Sequence, residues 1–192
     1  MINLELYPIL LDNRKSLRET SKDTSDPNDI QYMTSSEMEV VNFDFVKRHY
    51  ANGFGLSEEV VTSVDAIVPF ENGILFVEFK NGKVNNRKIK DKARDSLLIF
   101  LEIIGEDLAF SRGNIDFVVV YNLEKNPLPR QVQKEQLQET PSRVSIANHF
   151  MEKAKKEFIC FDLERYERIY YRNIHTYSKE RFEEYLQTLR LG

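Results

Sequence analysis

Cysteine is almost missing from this sequence of 192 residues. Cys160 stands alone, so no internal disulfide and no cysteine-based zinc site can form. Tryptophan is absent, and seven glycines and six prolines are too few for a collagenous or low-complexity chain. Long hydrophobic runs are lacking as well. Stretches such as Leu97–Leu101 fall far short of the roughly 20 residues that span a bilayer. The opening Met-Ile-Asn-Leu-Glu-Leu has no basic region followed by an apolar one, so no secretory signal is expected. A cytoplasmic protein without a membrane partner is the simplest expectation. Positive charge is not in excess either: 27 Lys and Arg face 31 Asp and Glu, for a net charge of −4. Any polyanion would have to be held by a local basic surface.

What is present can build a core. Apolar residues make up 41% of the chain, with 13 Phe and 9 Tyr, which excludes wholesale disorder. At about 150 residues per domain, the expectation is a single domain over residues 1–192. Residues 1–10 read as a short apolar strand, with Ile2, Leu4, Leu6 and Ile9 sharing a face. Residues 11–33 are polar and turn-rich and read as a loop or arm. The pairs Ser36/Glu39 and Thr34/Glu37 fit overlapping capping boxes. They predict a helix carrying Met38, Val41, Phe45 and His49 and ending at Asn52-Gly53. Two strands follow, Glu59 to Phe70 and Ile74 to Lys80, joined by Asn72-Gly73 as a hairpin turn. A helix over about Asn85 to Ile104 shows an apolar stripe of Ile89, Ala93, Leu97, Leu101 and Ile104. Ile115 to Tyr121 is nearly all apolar and suits a central strand. Residues 122–142 read as a surface excursion. A helix at 145–157, strands at 158–163 and 169–177, and a last helix capped by Ser178 complete the pattern. This order predicts an α/β domain with a mixed sheet flanked by helices.

Among the 31 acidic residues, Glu78 alone has a lysine two positions downstream. The triplet lies inside the apolar strand Ile74-Leu75-Phe76-Val77-Glu78-Phe79-Lys80. Alternation puts Glu78 and Lys80 on one face and Val77 and Phe79 on the other. Two charges on one side of an apolar strand are costly to bury unless something uses them. With Asn72-Gly73 as the turn, Asp65 stands opposite Lys80 and Ile67 opposite Glu78, so Asp65, Glu78 and Lys80 converge on one face. A one-residue slip would move Asp65 to the other side. Two carboxylates beside a lysine suit a hard divalent cation such as Mg²⁺ or Mn²⁺. Such a cation can activate water for attack on a phosphate, and the lysine can offset the developing negative charge. From Lys80 to Arg94 there are seven basic residues against one acid, Asp91. Lys83, Arg87, Lys88 and Lys92 of this run are candidate phosphate contacts.

Asp65, followed after twelve residues by Glu78-Phe79-Lys80, resembles the PD-(D/E)xK nuclease superfamily, the restriction-endonuclease-like enzymes. The likeness extends to the order helix, hairpin, helix, strand from about Ser35 to Tyr121, less than half of the chain. Val64 stands where the name-giving proline would be. The resemblance implies a restriction-endonuclease-like core. It also implies that Asp65 and Glu78 are metal ligands and that Lys80 is the catalytic lysine. An acid from the preceding helix commonly joins such sites; Glu37 is the candidate and Glu39 the alternative. The expected activity is metal-dependent cleavage of nucleic acid, DNA foremost, by a homodimer or with a partner subunit.

Plainer readings stand beside these. A basic run is usually a solvated helix face, and Glu37 and Glu39 suit capping. The fold could be catalytically silent and bind nucleic acid or a protein. The carboxylates and lysine could instead form an internal ion-pair cluster, with Lys80 bridging both acids. His49, His149 and His175 show no metal-ligand spacing, and Cys160 reads as a packed core residue.

Overall fold

The computed structural model describes residues 3–127 and 159–189. In chain order its strands are β1 (Arg14–Ser16), β2 (Lys22–Asp23), β3 (Gln31–Tyr32), β4 (Glu39–Asn42), β5 (Ala66–Phe70), β6 (Gly73–Lys80), β7 (Ile115–Tyr121) and β8 (Asn173–Ser178). Its α-helices are α1 (Pro8–Leu11), α2 (Leu17–Thr20), α3 (Phe43–Gly53), α4 (Asn86–Ile104), α5 (Leu108–Asn114) and α6 (Lys179–Thr188). Six strands form one mixed sheet in the order β1-β4-β5-β6-β7-β8, and β2 and β3 pair separately. The pairings from β1 to β6 are antiparallel, and β6, β7 and β8 run parallel. Parallel neighbours need a crossover, and α4 supplies the one between β6 and β7. No described helix is long and apolar enough to cross a membrane.

Side-chain alternation divides the core between the two sheet faces. Ile67, Phe76, Phe117 and Val119 pack with Phe43 of α3 and with Ile89, Leu97 and Phe100 of α4. Val68, Leu75, Val77 and Val120 pack with Phe182 and Leu186 of α6. Phe76 meets Phe100 edge-on at 5.2 Å between ring centroids. Each buried side chain of this size contributes about 1.5–3 kcal/mol. All seven residues of β7 are buried, as its apolar run predicts. The α4 and α6 boundaries also match: Asn85 caps α4 through the Lys88 N–H, and Ser178 caps α6 through the Arg181 N–H.

Several expectations are corrected. The first described residues form no strand: Leu4–Leu6 is a 3₁₀ turn, and Pro8 opens α1 at a position where its missing N–H costs nothing. The 11–33 arm holds β1, α2, β2 and β3, with Leu17 and Met33 fully packed. The helix predicted from Ser36 begins only at Phe43, capped by Asn42. Before it, Val40 and Val41 pack on opposite sides of the sheet as β4. Pairing to β1 and β5 therefore overrides the local capping signal. The first hairpin strand starts at Ala66 rather than Glu59. Residues 159–163 turn rather than extend, with Phe161 and Asp162 at φ 67° and 54°. Most of the 122–142 excursion and the whole helix at 145–157 lie outside the described residues.

The hairpin register also differs. Phe70 pairs with Gly73, so the loop is Glu71-Asn72, and Ile67 pairs with Phe76 rather than Glu78. Gly73 is spent on packing instead of the turn. A Cβ there would come within 2.4 Å of the Asn114 carbonyl oxygen and 2.9 Å of the Arg172 guanidinium. The displacement amounts to two residues, which preserves the face on which each side chain emerges.

Candidate functional site

Glu78 leaves β6 on the face covered by α4, between Val77 and Phe79, which pack on the opposite side. Its side chain is 0% exposed. Asp65 ends the coil that precedes β5. Its N–H donates to the Val77 carbonyl, and its Oδ2 accepts from the Phe79 N–H at 2.6 Å. Ala66 is also registered to Val77. Two consecutive residues thus face one partner, as at a β-bulge, an arrangement that re-aims side chains. The hairpin holds Asp65 against Glu78, and 16% of the Asp65 side chain remains open to solvent.

Two ammonium groups fill the space around these acids. Lys80 Nζ lies 2.7 Å from Glu78 Oε1. Lys92, projecting from α4, straddles Glu78 at 2.9 Å from each carboxylate oxygen and stands 3.4 Å from Asp65 Oδ1. Both lysines are thus within ion-pairing distance of the buried Oε1. At these distances the two ammonium groups supply the countercharge to Oε1. Asp44, in the first turn of α3, accepts from Ser63 Oγ at 2.5 Å. Its charge also reaches Asp65 and Lys92.

The electrostatics follow from burial. Loss of solvent pushes the Asp65 carboxyl up to about 7, and the neighbouring Glu78 charge adds to the rise. Lys92 and the Phe79 N–H offset part of it. For Lys92, burial works to discharge the ammonium. Asp65 and Glu78 outweigh it, holding Lys92 well above the ordinary lysine value. An open cleft of about 690 Å³ adjoins the cluster, with Asp44, Ser63, Thr62, Lys47 and Lys92 among its walls. Lys92 and Asp44 therefore connect the buried carboxylates to solvent.

The structure brings Asp65, Glu78 and Lys80 together on one face. Lys92 joins them, although its sequence context suggests an outward phosphate contact. Glu37 is not in the cluster: it precedes β4, its side chain is 68% exposed, and it ion-pairs with Arg18 at 3.7 Å. Because α3 starts late, its first-turn acid is Asp44. Lys83, Arg87 and Lys88 are exposed beyond Lys80. Arg87 has a loose 3.9 Å contact with Asp91. Two signals point to what the motif leaves out. Lys92 and Ser96 fall three and seven residues after Ile89, within the inward stripe of α4. Asp44 follows two residues after a capping asparagine.

Comparison with protein-family models, with curated proteins and with solved structures returned no match. Among the described residues, no group of three or more His, Cys, Asp or Glu is arranged to hold a metal ion. The neighbouring Asp65 and Glu78 carboxylates still fit a hard divalent cation. Mg²⁺ commonly takes only one or two protein carboxylates, leaving other positions to water and phosphate.

Proposed function

We propose that this chain is a metal-dependent phosphodiesterase acting on nucleic acid, DNA foremost, on a restriction-endonuclease-like core. The observation that carries the reading is the meeting of Asp65, Glu78 and Lys80 on one sheet face, with the Glu78 side chain fully buried. The order α3, β5–β6 hairpin, α4, β7 supports that core. Asp65 and Glu78 would hold Mg²⁺ or Mn²⁺, and Asp44 takes the place first given to Glu37 as the helix acid nearby. A bound divalent cation supplies charge to a phosphate oxygen and lowers the pKa of a coordinated water. Lys80, anchored on Glu78, orients the attacking water and offsets charge developing on the phosphate. Lys92 keeps the two carboxylates close by supplying the countercharge between them. Lys83, Arg87 and Lys88 contact phosphates on either side of the scissile bond.

A plasmid or oligonucleotide incubated with the protein and Mg²⁺ or Mn²⁺ tests this reading. Cleavage that requires the cation and disappears in Lys80→Ala is expected. Equal cleavage by the variant would refute it. One observation favours a second reading, an internal ion-pair cluster: Lys92 already bridges both acids. On that reading the wild type cleaves nothing with either cation.

A further inference from the structure

The coil that delivers Asp65 is held one residue at a time. Residues 62–65 belong to no strand or helix, so their polar groups need partners outside the sheet ladder. The Thr62 N–H and hydroxyl both donate to Asp95 Oδ2 at 2.9 Å. Ser63 donates to Asp44. The Val64 N–H donates to Ser96 Oγ at 2.7 Å, and both Val64 and Ser96 are fully buried. Asp65 then receives the Phe79 N–H and faces Lys92. Lys92, Asp95 and Ser96 lie at i, i+3 and i+4 on α4, the spacing that places side chains on one helical face. A single turn of α4 thus grips the coil at alternate residues and meets the carboxylate at its end.

We propose, on the reading above that Asp65 is a metal ligand, that Asp95 and Ser96 are positioning residues for it. They fasten Thr62 and Val64 to α4, so that the Asp65 carboxylate is fixed against Glu78 before a cation or substrate arrives. A carboxylate on an untethered coil would have to be ordered on binding, and that ordering weakens affinity. Groups behind metal ligands typically change affinity by about 10–100-fold when removed. Asp95 and Ser96 touch neither substrate nor cation; they act through the backbone of the coil.

Exchange of the Phe79 amide, followed by NMR, reports whether Asp65 is in place, because that N–H is held by the Asp65 carboxylate. The Val118 amide in central strand β7 serves as the internal reference for global stability. In Ser96→Ala and in Asp95→Ala, Phe79 exchange is expected to accelerate about tenfold or more relative to Val118. The Mn²⁺ dissociation constant is expected to rise about tenfold or more in the same variants. Asp95→Asn, which retains an acceptor oxygen, restores the wild-type behaviour, and Asp91→Ala on the same helix changes neither readout. Should Ser96→Ala fail to fold, the partly exposed Asp95 position decides. Unaltered Phe79 exchange in Asp95→Ala overturns the positioning role. Absence of Mn²⁺ binding by the wild type counts against the metal reading alone, and the Phe79 amide then decides positioning unaided.

Discussion

Raising the pH weakens the folded chain through Asp65. In the fold this carboxyl is pushed up to about 7, first by burial and then by the Glu78 charge; in the unfolded chain it titrates near 3.9. Between those values the native state keeps a proton that the unfolded state has released. The resulting contribution to stability is fully present below about pH 4 and is lost as the pH rises through about 7. The separation corresponds to as much as about 4 kcal/mol at about 1.36 kcal/mol for each tenfold change in proton affinity. Asp65→Asn has no proton to lose, so subtracting its unfolding profile isolates the effect from other carboxylates. Urea titrations of both proteins without divalent cation, at pH values from about 4 to about 8, should show the variant gaining on the wild type by several kcal/mol. A difference that stays constant across the range would refute a raised Asp65 carboxyl, and with it the crowding of Asp65 against Glu78. Adding Mn²⁺ should oppose the trend, because a cation favours the ionised carboxylate; its affinity is expected to increase as the pH passes about 7.

Two further outcomes follow from the packing. Lys92→Met removes the ammonium that straddles Glu78 and faces Asp65, and leaves Lys80 beside Glu78 as the remaining countercharge. A loss of about 3–5 kcal/mol at neutral pH is expected, measured by urea or thermal unfolding, and a near-neutral effect would show that the cluster is solvated. Gly73→Ala forces a Cβ against the Asn114 carbonyl and the Arg172 guanidinium. A cost of about 1–3 kcal/mol is expected, and an unchanged melting temperature would show that Asn114 and Arg172 can give way there.

The central elements were legible because their signals are local. The apolar run Ile115–Tyr121, the α4 stripe and the capping residues Asn85 and Ser178 all act within a few positions. The shared face of Asp65, Glu78 and Lys80 survived a wrong register because the displacement was even. What the sequence hid depends on distant partners. Thr34, Ser36, Glu37 and Glu39 spell a helix start, but Val40 and Val41 are drawn into the sheet by β1 and β5; Glu37 therefore lies outside the cluster, and Asp44 is the α3 acid whose charge reaches it. Gly73 looks like a turn residue because Asn-Gly usually is one, whereas its lack of a Cβ makes room for Arg172, just before β8, and for Asn114 at the end of α5. Lys92 was masked by the basic run around it, although Ile89 and Ser96 mark its inward face. The departure at Val64 also acquires a reason: it supplies the N–H that Ser96 accepts, a donor that proline lacks.

Whether a cation is held by the Asp65 and Glu78 carboxylates can be seen in a crystal soaked in Mn²⁺, with anomalous scattering measured at the manganese edge. A peak in contact with the Asp65 and Glu78 carboxylates is expected, absent from crystals of Glu78→Gln. Clean density with Lys92 still bridging the two acids, and no anomalous signal beside them, would contradict it.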